Sequence, residues 1–167
     1  MCVPSGGVTM SAAAALTRRE LHYASVDEFQ ADVERMAKGK FRTVGKWSYP
    51  QILDHLARSM TASLDGFGFK APWWARVFIA PLVKNSFLTK PMRAGFKLPE
   101  RARSLVPAAD LTLPSAMENL RKAIARCARE SPQADHPFLG KLASQEWNAL
   151  YLRHAELHMS FVVAEGS

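Results

Sequence analysis

The sequence predicts an all-α fold, and three observations support that class. Five stretches place apolar residues at helical spacing, and no stretch shows a convincing strand pattern. The chain has 167 residues, which suits a single domain with one hydrophobic core. Its content of 48% hydrophobic and 22% charged residues excludes a disordered, collagen-like or disulfide-dense protein.

The first two predicted helices each begin at a serine. Residues 25–38 form the first helix, because Ser25 and Glu28 have capping-box spacing and Gly39 supplies a stop. The second helix begins near Ser48 and ends before Gly66. Their apolar stripes are Phe29, Val33 and Met36 in the first helix, and Ile52, Leu53, Leu56 and Met60 in the second.

The third predicted helix covers residues 72–88, and Pro81 should kink or split it because proline removes a backbone donor. Its apolar residues, which include Trp73 and Trp74, favour a helix packed against the rest of the domain. An interfacial membrane helix is the less frequent alternative for such a sequence.

A long, proline-rich connection follows over residues 88–114, and it carries much of the positive charge. Within residues 72–107, seven Lys and Arg stand against one Glu, so this segment contributes +6 of the net charge of +7. Solvated loop charges are the interpretation that we favour, since charge bias alone says little about chemistry. The alternative is attraction of an acidic partner or an anionic membrane surface.

The last two predicted helices cover residues 115–130 and 144–163. Ser115 and Glu118 have capping-box spacing at the start of the fourth helix, and Leu120 and Ile124 face inward with Cys127. The fifth helix carries one inward stripe at three- and four-residue steps. Its members are Trp147, Leu150, Tyr151, His154, Leu157, His158 and Phe161.

The N-terminal residues 1–21 are predicted to be a flexible extension, and residues 22–167 a single helical domain. The Arg18 and Arg19 pair follows a short apolar run instead of preceding one, which argues against a twin-arginine signal. Two cysteines, Cys2 and Cys127, cannot build a disulfide framework, so a cytoplasmic location is expected. No stretch reaches the roughly 18 apolar residues of a membrane span.

Two histidines at the centre of the last helix are the strongest chemical signal. His154 and His158 are four residues apart, so their side chains leave one helix face about 5–6 Å apart. Two imidazoles at that distance can reach one metal ion. Because buried imidazoles need partners, either a metal or hydrogen bonds must satisfy them, and both alternatives stay open.

His55 is the best candidate for a third ligand, since it lies beside the core face of the second helix. Three histidines with an open position are typical of a catalytic metal site. Surface positions are expected for His22 and His136. A zincin protease is rejected, because Ala155 follows the first histidine and Glu156 lies about 200° round the helix.

Other side chains are weaker candidates for the site. Ser59 and Tyr151 lie about one helical turn from a histidine and are candidates for supporting the ligands, although packing explains them equally well. The candidates for binding an anionic group of a substrate or cofactor are Arg93, Lys97 and Arg101.

A histidine in the second helix, followed by His-x-x-x-His in the last, resembles the DinB/YfiT-like superfamily of metalloenzymes. The sequence is most similar to an uncharacterised branch, defined only as a domain of unknown function. The similarity spans roughly residues 20–163. It is carried by residues 21–25 (LHYAS), 47–56 (WSYPQILDHL), 95–99 (GFKLP), 136–140 (HPFLG) and 153–158 (RHAELH).

The resemblance implies a four-helix bundle with up-down-down-up connectivity, to which this chain adds a short helix and the long basic connection. It implies a divalent metal, zinc or nickel, held by His55, His154 and His158. Better-known relatives resemble bacterial S-transferases and isomerases that use a low-molecular-weight thiol. Related bundles are often dimers, so the resemblance also implies a homodimer.

Two functions are therefore expected as alternatives. The first is a metal-dependent enzyme acting on a small molecule, either a thiol-dependent S-transferase or a hydrolase. The second is a non-catalytic helical module that docks an acidic partner or membrane surface through the basic segment 72–107. No nucleic-acid-binding signature is present, so a specific nucleic-acid partner is not expected.

Overall fold

The computed structural model describes residues 18–95 and 99–165. The described chain is mostly helical, as the sequence predicts. Helix α1 covers Val26–Lys38, and the Ser25 hydroxyl caps it by accepting from the Glu28 amide. The predicted stripe of Phe29, Val33 and Met36 is buried. Helix α1 and its stripe are therefore confirmed.

Helix α2 covers Tyr49–Asp65 and carries the central part of the core. Ser48 and Gln51 cap its start reciprocally, each side chain accepting from the other residue's amide. The helix ends at Gly66, whose φ of 106° is a conformation that favours glycine. The predicted core residues are buried: Ile52, Leu53, Leu56 and Met60.

The third helical segment is split, as Pro81 predicts. A π-helical turn over Ala75–Ile79 precedes helix α3 over Ala80–Thr89, and Pro81 occupies the first turn of α3. The segment packs against α5 as expected, but it does so through small residues such as Ala80. The expectation that its large apolar side chains are buried is wrong, because they face outward. Trp73 is 70% exposed and Leu82 is 83% exposed.

The connection after α3 contains a short 3₁₀ helix over Glu100–Leu105. Ala102 and Leu105 are buried against Ala62 of α2 and anchor this helix to the domain. The remainder of the described connection is irregular, which agrees with the prediction from its prolines.

Helix α4 covers Leu113–Arg129 and packs against α2. It begins earlier than predicted, since Thr112, rather than Ser115, is the cap: the Thr112 hydroxyl accepts from the Ser115 amide at 3.3 Å. Both residue types cap helices well, and Pro114 is tolerated within a first turn. Leu120 and Ile124 are buried as expected.

Helix α5 covers Ser144–Met159 and is shorter than predicted. The chain then turns and forms strand β2, Val162–Ala164, which pairs antiparallel with strand β1, Phe41–Thr43. The expectation that no strand forms is therefore wrong. The register places Thr43 opposite Val162 and Phe41 opposite Ala164.

Residues 1–17 of the expected extension lie outside the described residues, but Arg18, Arg19 and Leu21 contact the domain. Arg19 forms a bidentate ion pair with Asp32 of α1, with N–O distances of 2.9 and 2.7 Å. The Arg18 guanidinium lies 4.4 Å above the Phe161 ring. Of the helices in the described part of the chain, none has the length and apolar character needed to cross a membrane.

Candidate metal centre

Helices α2 and α5 bring three histidines together. His55 of α2 is buried, and His154 and His158 of α5 are partly buried. Ring centroids are 5.1 Å apart for His55 and His154, and 4.6 Å apart for each of the other two pairs. One ring nitrogen from each histidine lies within 4.8 Å of those of the other two. The three residues predicted from the sequence therefore form one cluster.

The proton position on His55 follows from its hydrogen bond to the 3₁₀ helix. Its Nδ1 atom lies 2.7 Å from the carbonyl oxygen of Leu105. Because a carbonyl can only accept, Nδ1 carries the hydrogen, and in the neutral ring Nε2 keeps its lone pair. That lone pair faces Nε2 of His154 at 3.2 Å.

The spacing of these nitrogens fits a shared metal ion. Two imidazole nitrogens bonded at about 2.0–2.1 Å to a tetrahedral ion lie about 3.3 Å apart. The observed distance from His55 to His154 is 3.2 Å, which also suits an N–H···N hydrogen bond from His154 to His55. Metal content distinguishes these two arrangements.

Burial keeps the three imidazoles in the form that binds metals. It lowers the pKa of His55, although the hydrogen bond to Leu105 raises it in part. Burial, followed by the neighbouring histidines, holds the pKa of His154 well below its usual range. Burial, followed by the neighbouring His55 and Arg18, lowers the pKa of His158 to about 3. All three are neutral at pH 7, and metal ligation requires neutral imidazole.

Trp47 forms one wall of the cluster. Its ring centroid lies 4.7 Å from that of His55 and 5.6 Å from that of His158. The rings of Trp47 and His158 are nearly parallel, with an interplanar angle of 20°. Trp47 directly precedes the cap residue of α2, so the start of that helix fixes its position. An indole in this position limits water access to two of the three imidazoles.

His136 is partly enclosed, contrary to the surface position expected for it. Its ring lies 5.8 Å from those of both Phe67 and Trp147. Its Nδ1 atom accepts from the amides of Phe138 and Leu139 at 3.2 and 2.9 Å. Burial lowers its pKa to about 4, so the ring is neutral at pH 7. Because Nδ1 accepts, the proton of the neutral ring lies on Nε2. After burial, His158 and His55, the proximity of His136 is a further cause that lowers the pKa of His154.

The two predicted supporting residues have different surroundings. The Ser59 hydroxyl is buried and has no hydrogen-bond partner among the described residues. The Tyr151 hydroxyl bonds with Ser63 and lies 3.8 Å from the Cys127 sulfur. Cys127 is partly buried, and burial raises the pKa of its thiol, which does not favour a nucleophile.

Two of the three predicted anion-binding residues, Arg93 and Arg101, lie in the described part of the chain. Arg93 is exposed, and Lys97 lies outside the described residues. Arg101 is exposed and donates to the Lys70 carbonyl at 3.3 Å. Among the described residues, no hydrogen bond or ion pair links Arg93 or Arg101 to the histidines, so their role stays a prediction.

Glu156 faces away from the histidines, in agreement with the rejection of a zincin site. Its Oε1 atom accepts from the Tyr23 amide at 2.6 Å and from Arg153 at 2.5 Å. Arg153 also donates to the Tyr23 carbonyl at 3.0 Å. This buried pair joins α5 to the segment before α1. The His22 ring is largely exposed, with Nδ1 3.5 Å from Glu156.

A groove of about 460 Å³ lies between α2, α4 and the 3₁₀ helix, but it contains none of the three histidines. Two of its acidic side chains are neutralised within the protein, Asp54 by Arg58 and Asp65 by Arg126. Leu105 lines the groove, and its carbonyl oxygen accepts a hydrogen bond from His55 of the histidine cluster. Because its charges are paired, we place the candidate site at the histidines.

Comparison with known families gives one match. The family model described as a protein of unknown function (DUF1569) matches residues 15–165. This range includes all three histidines and every described helix and strand. No curated protein and no solved structure matches the chain.

Proposed function

We propose that this chain, which belongs to the DUF1569 family of proteins of unknown function, is an enzyme that uses a divalent metal ion. His55, His154 and His158 would hold the ion. The observation that supports this proposal most directly is the convergence of three neutral ring nitrogens within 4.8 Å of one another. Three protein ligands leave a position for a substrate, as in catalytic rather than structural sites.

The hydrogen bonding of His55 supports a metal more strongly than its burial does. The Leu105 carbonyl holds the Nδ1 proton, which directs the Nε2 lone pair toward His154. Metal-bound histidines usually donate their second ring nitrogen to a carbonyl or carboxylate in this way. A histidine that served only the core would need no such orientation toward two further imidazoles.

We further propose that the fold is a DinB/YfiT-like four-helix bundle with up-down-down-up connectivity. In this assignment α1, α2, α4 and α5 are the bundle helices, and α3 is the additional short helix. The pairing of α2 with α4 and the origin of the ligands in α2 and α5 support it.

The proposed reaction is transfer of a low-molecular-weight thiol to an electrophilic small molecule. A zinc or nickel ion supplies Lewis acidity, which lowers the pKa of a thiol that reaches the site. The S–C bond forms while the bond from carbon to its leaving group breaks, and the leaving group departs with that electron pair. The thiol proton neutralises the departing group. Hydrolysis, with water in place of the thiol, is the variant.

The chain's own residues have defined parts in this proposal. The histidines bind the ion, Trp47 restricts solvent beside His55 and His158, and His136 carries an Nε2 proton near His154. The buried Ser59 hydroxyl, which has no partner in the described chain, is available to a bound ligand. Metal binding and the choice of thiol can be tested separately.

Elemental analysis of tag-free protein tests the metal site. We expect about one transition-metal ion per wild-type chain and loss of it in His154→Ala. His22→Ala is the matched control, because His22 is largely exposed and should not affect metal content. A folded wild-type protein that stays metal-free after incubation with zinc and nickel would overturn the proposal.

Cobalt substitution tests the thiol. A thiolate bound to cobalt(II) produces a charge-transfer band in the near ultraviolet, so titration with a low-molecular-weight thiol should produce that band in the wild type. The band should be absent in His158→Ala. A cobalt-loaded protein that shows no band with any thiol tested would favour the hydrolytic variant.

A further inference from the structure

The helical segment from Trp73 to Leu82 exposes an apolar face. Its members, called the outer face below, are Trp73, Trp74, Val77, Phe78 and Leu82. Leu82 is 83% exposed, Trp73 70% and Phe78 62%. With 150–250 Å² for a whole aromatic side chain, the outer face exposes on the order of 600 Å² of largely apolar surface. Patches of this size on a protein surface usually mark an interaction site.

The orientation of this helix is fixed by contacts on its inner side. Ala75 and Ala80 are the buried residues there, at 8% and 2% exposure. Lys84 forms an ion pair with Glu146 of α5 at 2.7 Å, and the Arg76 guanidinium lies 3.8 Å from Asp135. The small residues therefore face the protein and the large apolar ones face outward. Turning the outer face inward would break both ionic contacts.

The surroundings of the outer face are positively charged. Between residues 66 and 99 the sequence contains six Lys and Arg and no Asp or Glu. Arg76 and Lys84 contact the carboxylates of the domain, whereas Lys70, Lys90 and Arg93 are exposed. An occupant of the outer face must therefore be apolar and also carry negative charge nearby.

We propose that the outer face docks this protein on an anionic lipid surface. A second copy of the chain fits less well, because its outer face would bring the same cations into contact. A bilayer with anionic headgroups offers an apolar layer to Phe78 and Leu82 and negative charge to the flanking Lys and Arg. Two adjacent tryptophans at one end suit the boundary between headgroups and acyl chains.

Docking through the outer face is independent of metal binding by the histidines. None of the outer-face residues belongs to the histidine cluster or to Trp47, His136 and Leu105 around it. The surface and the metal site can therefore be tested separately.

Vesicle sedimentation of the full chain tests the proposal. Phosphatidylcholine vesicles are compared with vesicles that also contain phosphatidylserine, at low and high salt. We expect binding to the anionic vesicles only, weakened by salt. The affinity of the double variant Phe78→Ser/Leu82→Ser for anionic vesicles should be at least about tenfold lower, since neither position would bury an apolar side chain in the bilayer.

Val106→Ser is the matched control, because Val106 is also an exposed apolar residue, at 44%, but lies outside the outer face. Its vesicle binding should equal that of the wild type. Metal content of the double variant should also be unchanged, which separates this test from that of the metal centre. Absence of binding to anionic vesicles at low salt would overturn the proposal. A dimer in sedimentation velocity that the double variant dissociates would instead assign the outer face to self-association.

Discussion

The Nδ1 atom of His55 donates to the carbonyl oxygen of Leu105 across 2.7 Å. Leu105 belongs to the 3₁₀ helix of the long connection, and His55 to α2. The connection thus fixes the orientation of one proposed metal ligand. Its structural contribution comes from a backbone carbonyl and not from the basic side chains that stand out in the sequence.

Displacing the 3₁₀ helix should weaken metal binding without removing a ligand. Ala102 is fully buried at 0% exposure, so Ala102→Leu would overpack its site and move the Leu105 carbonyl. We expect metal affinity to fall about 10–100-fold, the range for loss of a hydrogen bond that orients a ligand. Competition with a chromogenic chelator measures it. Arg103→Ala, at an exposed position of the same helix, should leave affinity unchanged.

Removing the indole of Trp47 should speed metal exchange. Trp47→Ala keeps all three histidines but opens the side of the cluster next to His55 and His158. Metal content should stay near wild type, while release to a chelator becomes about tenfold faster. Trp74→Ala is the control, since Trp74 is 51% exposed and lies outside the cluster. Equal release rates for both variants would contradict a shielding role of Trp47.

The partial burial of His136 predicts a specific dependence of stability on pH. Its pKa is about 4 in the folded protein, against about 6.5 in an unfolded chain. The unfolded state therefore binds more protons below pH 6.5, and the free energy of unfolding falls as the pH drops from 6.5 toward 4. The titration of His136 alone should lower the free energy of unfolding by on the order of 2 kcal/mol between pH 7 and pH 5.

His136→Asn isolates that contribution. The asparagine oxygen can still accept from the amides of Phe138 and Leu139, but it does not titrate in this range. Urea unfolding of the metal-free protein at pH 7 and pH 5 should show a smaller loss of stability in the variant. Identical losses in both proteins would mean that His136 titrates normally when folded.

Breaking the buried pair of Arg153 and Glu156 should destabilise the fold and leave the metal centre intact. Both side chains are buried, and Arg153→Ala would leave the Glu156 carboxylate without its charged partner. The expected loss is about 3–5 kcal/mol. Lys122→Ala removes the exposed pair with Glu118 and should cost less than about 1 kcal/mol. Urea unfolding compares them, and metal content at pH 7 should stay near wild type in both.

Local signals in the sequence were sufficient for the starts of α1 and α2. Ser25 and Ser48 each accept from an amide three residues on, as their side chains favour. The capping-box spacing of Ser115 and Glu118 predicts a start of α4 at Ser115, whereas Thr112 is the observed cap. Both residue types can cap a helix, and the tertiary path of the connection decides between them. Strands β1 and β2 have three residues each, too few to give a periodic signal.

The candidate site was predictable to the extent that it depends on side-chain type and spacing. His154 and His158 share a face because both lie on one helix, and His55 was inferred from its position beside the core of α2. The Leu105 carbonyl could not be inferred, because every residue has a backbone carbonyl that can accept a hydrogen bond. Only the folded path of the chain determines which carbonyl reaches His55. His136 was misjudged because Pro137 marks a turn, and turns usually lie at the surface.

The pairing of β1 with β2 has a consequence for the length of the chain beyond the last histidine. Strand β1 precedes α2, and strand β2 begins four residues after His158, so one hydrogen-bonded ribbon connects the two helices that carry the ligands. Sliding α5 by one residue would reverse which face each side chain of β2 occupies. Three residues, Met159 to Phe161, separate His158 from the start of β2, and the strand pairing keeps this number fixed. Their number therefore determines the height of His154 and His158 relative to His55.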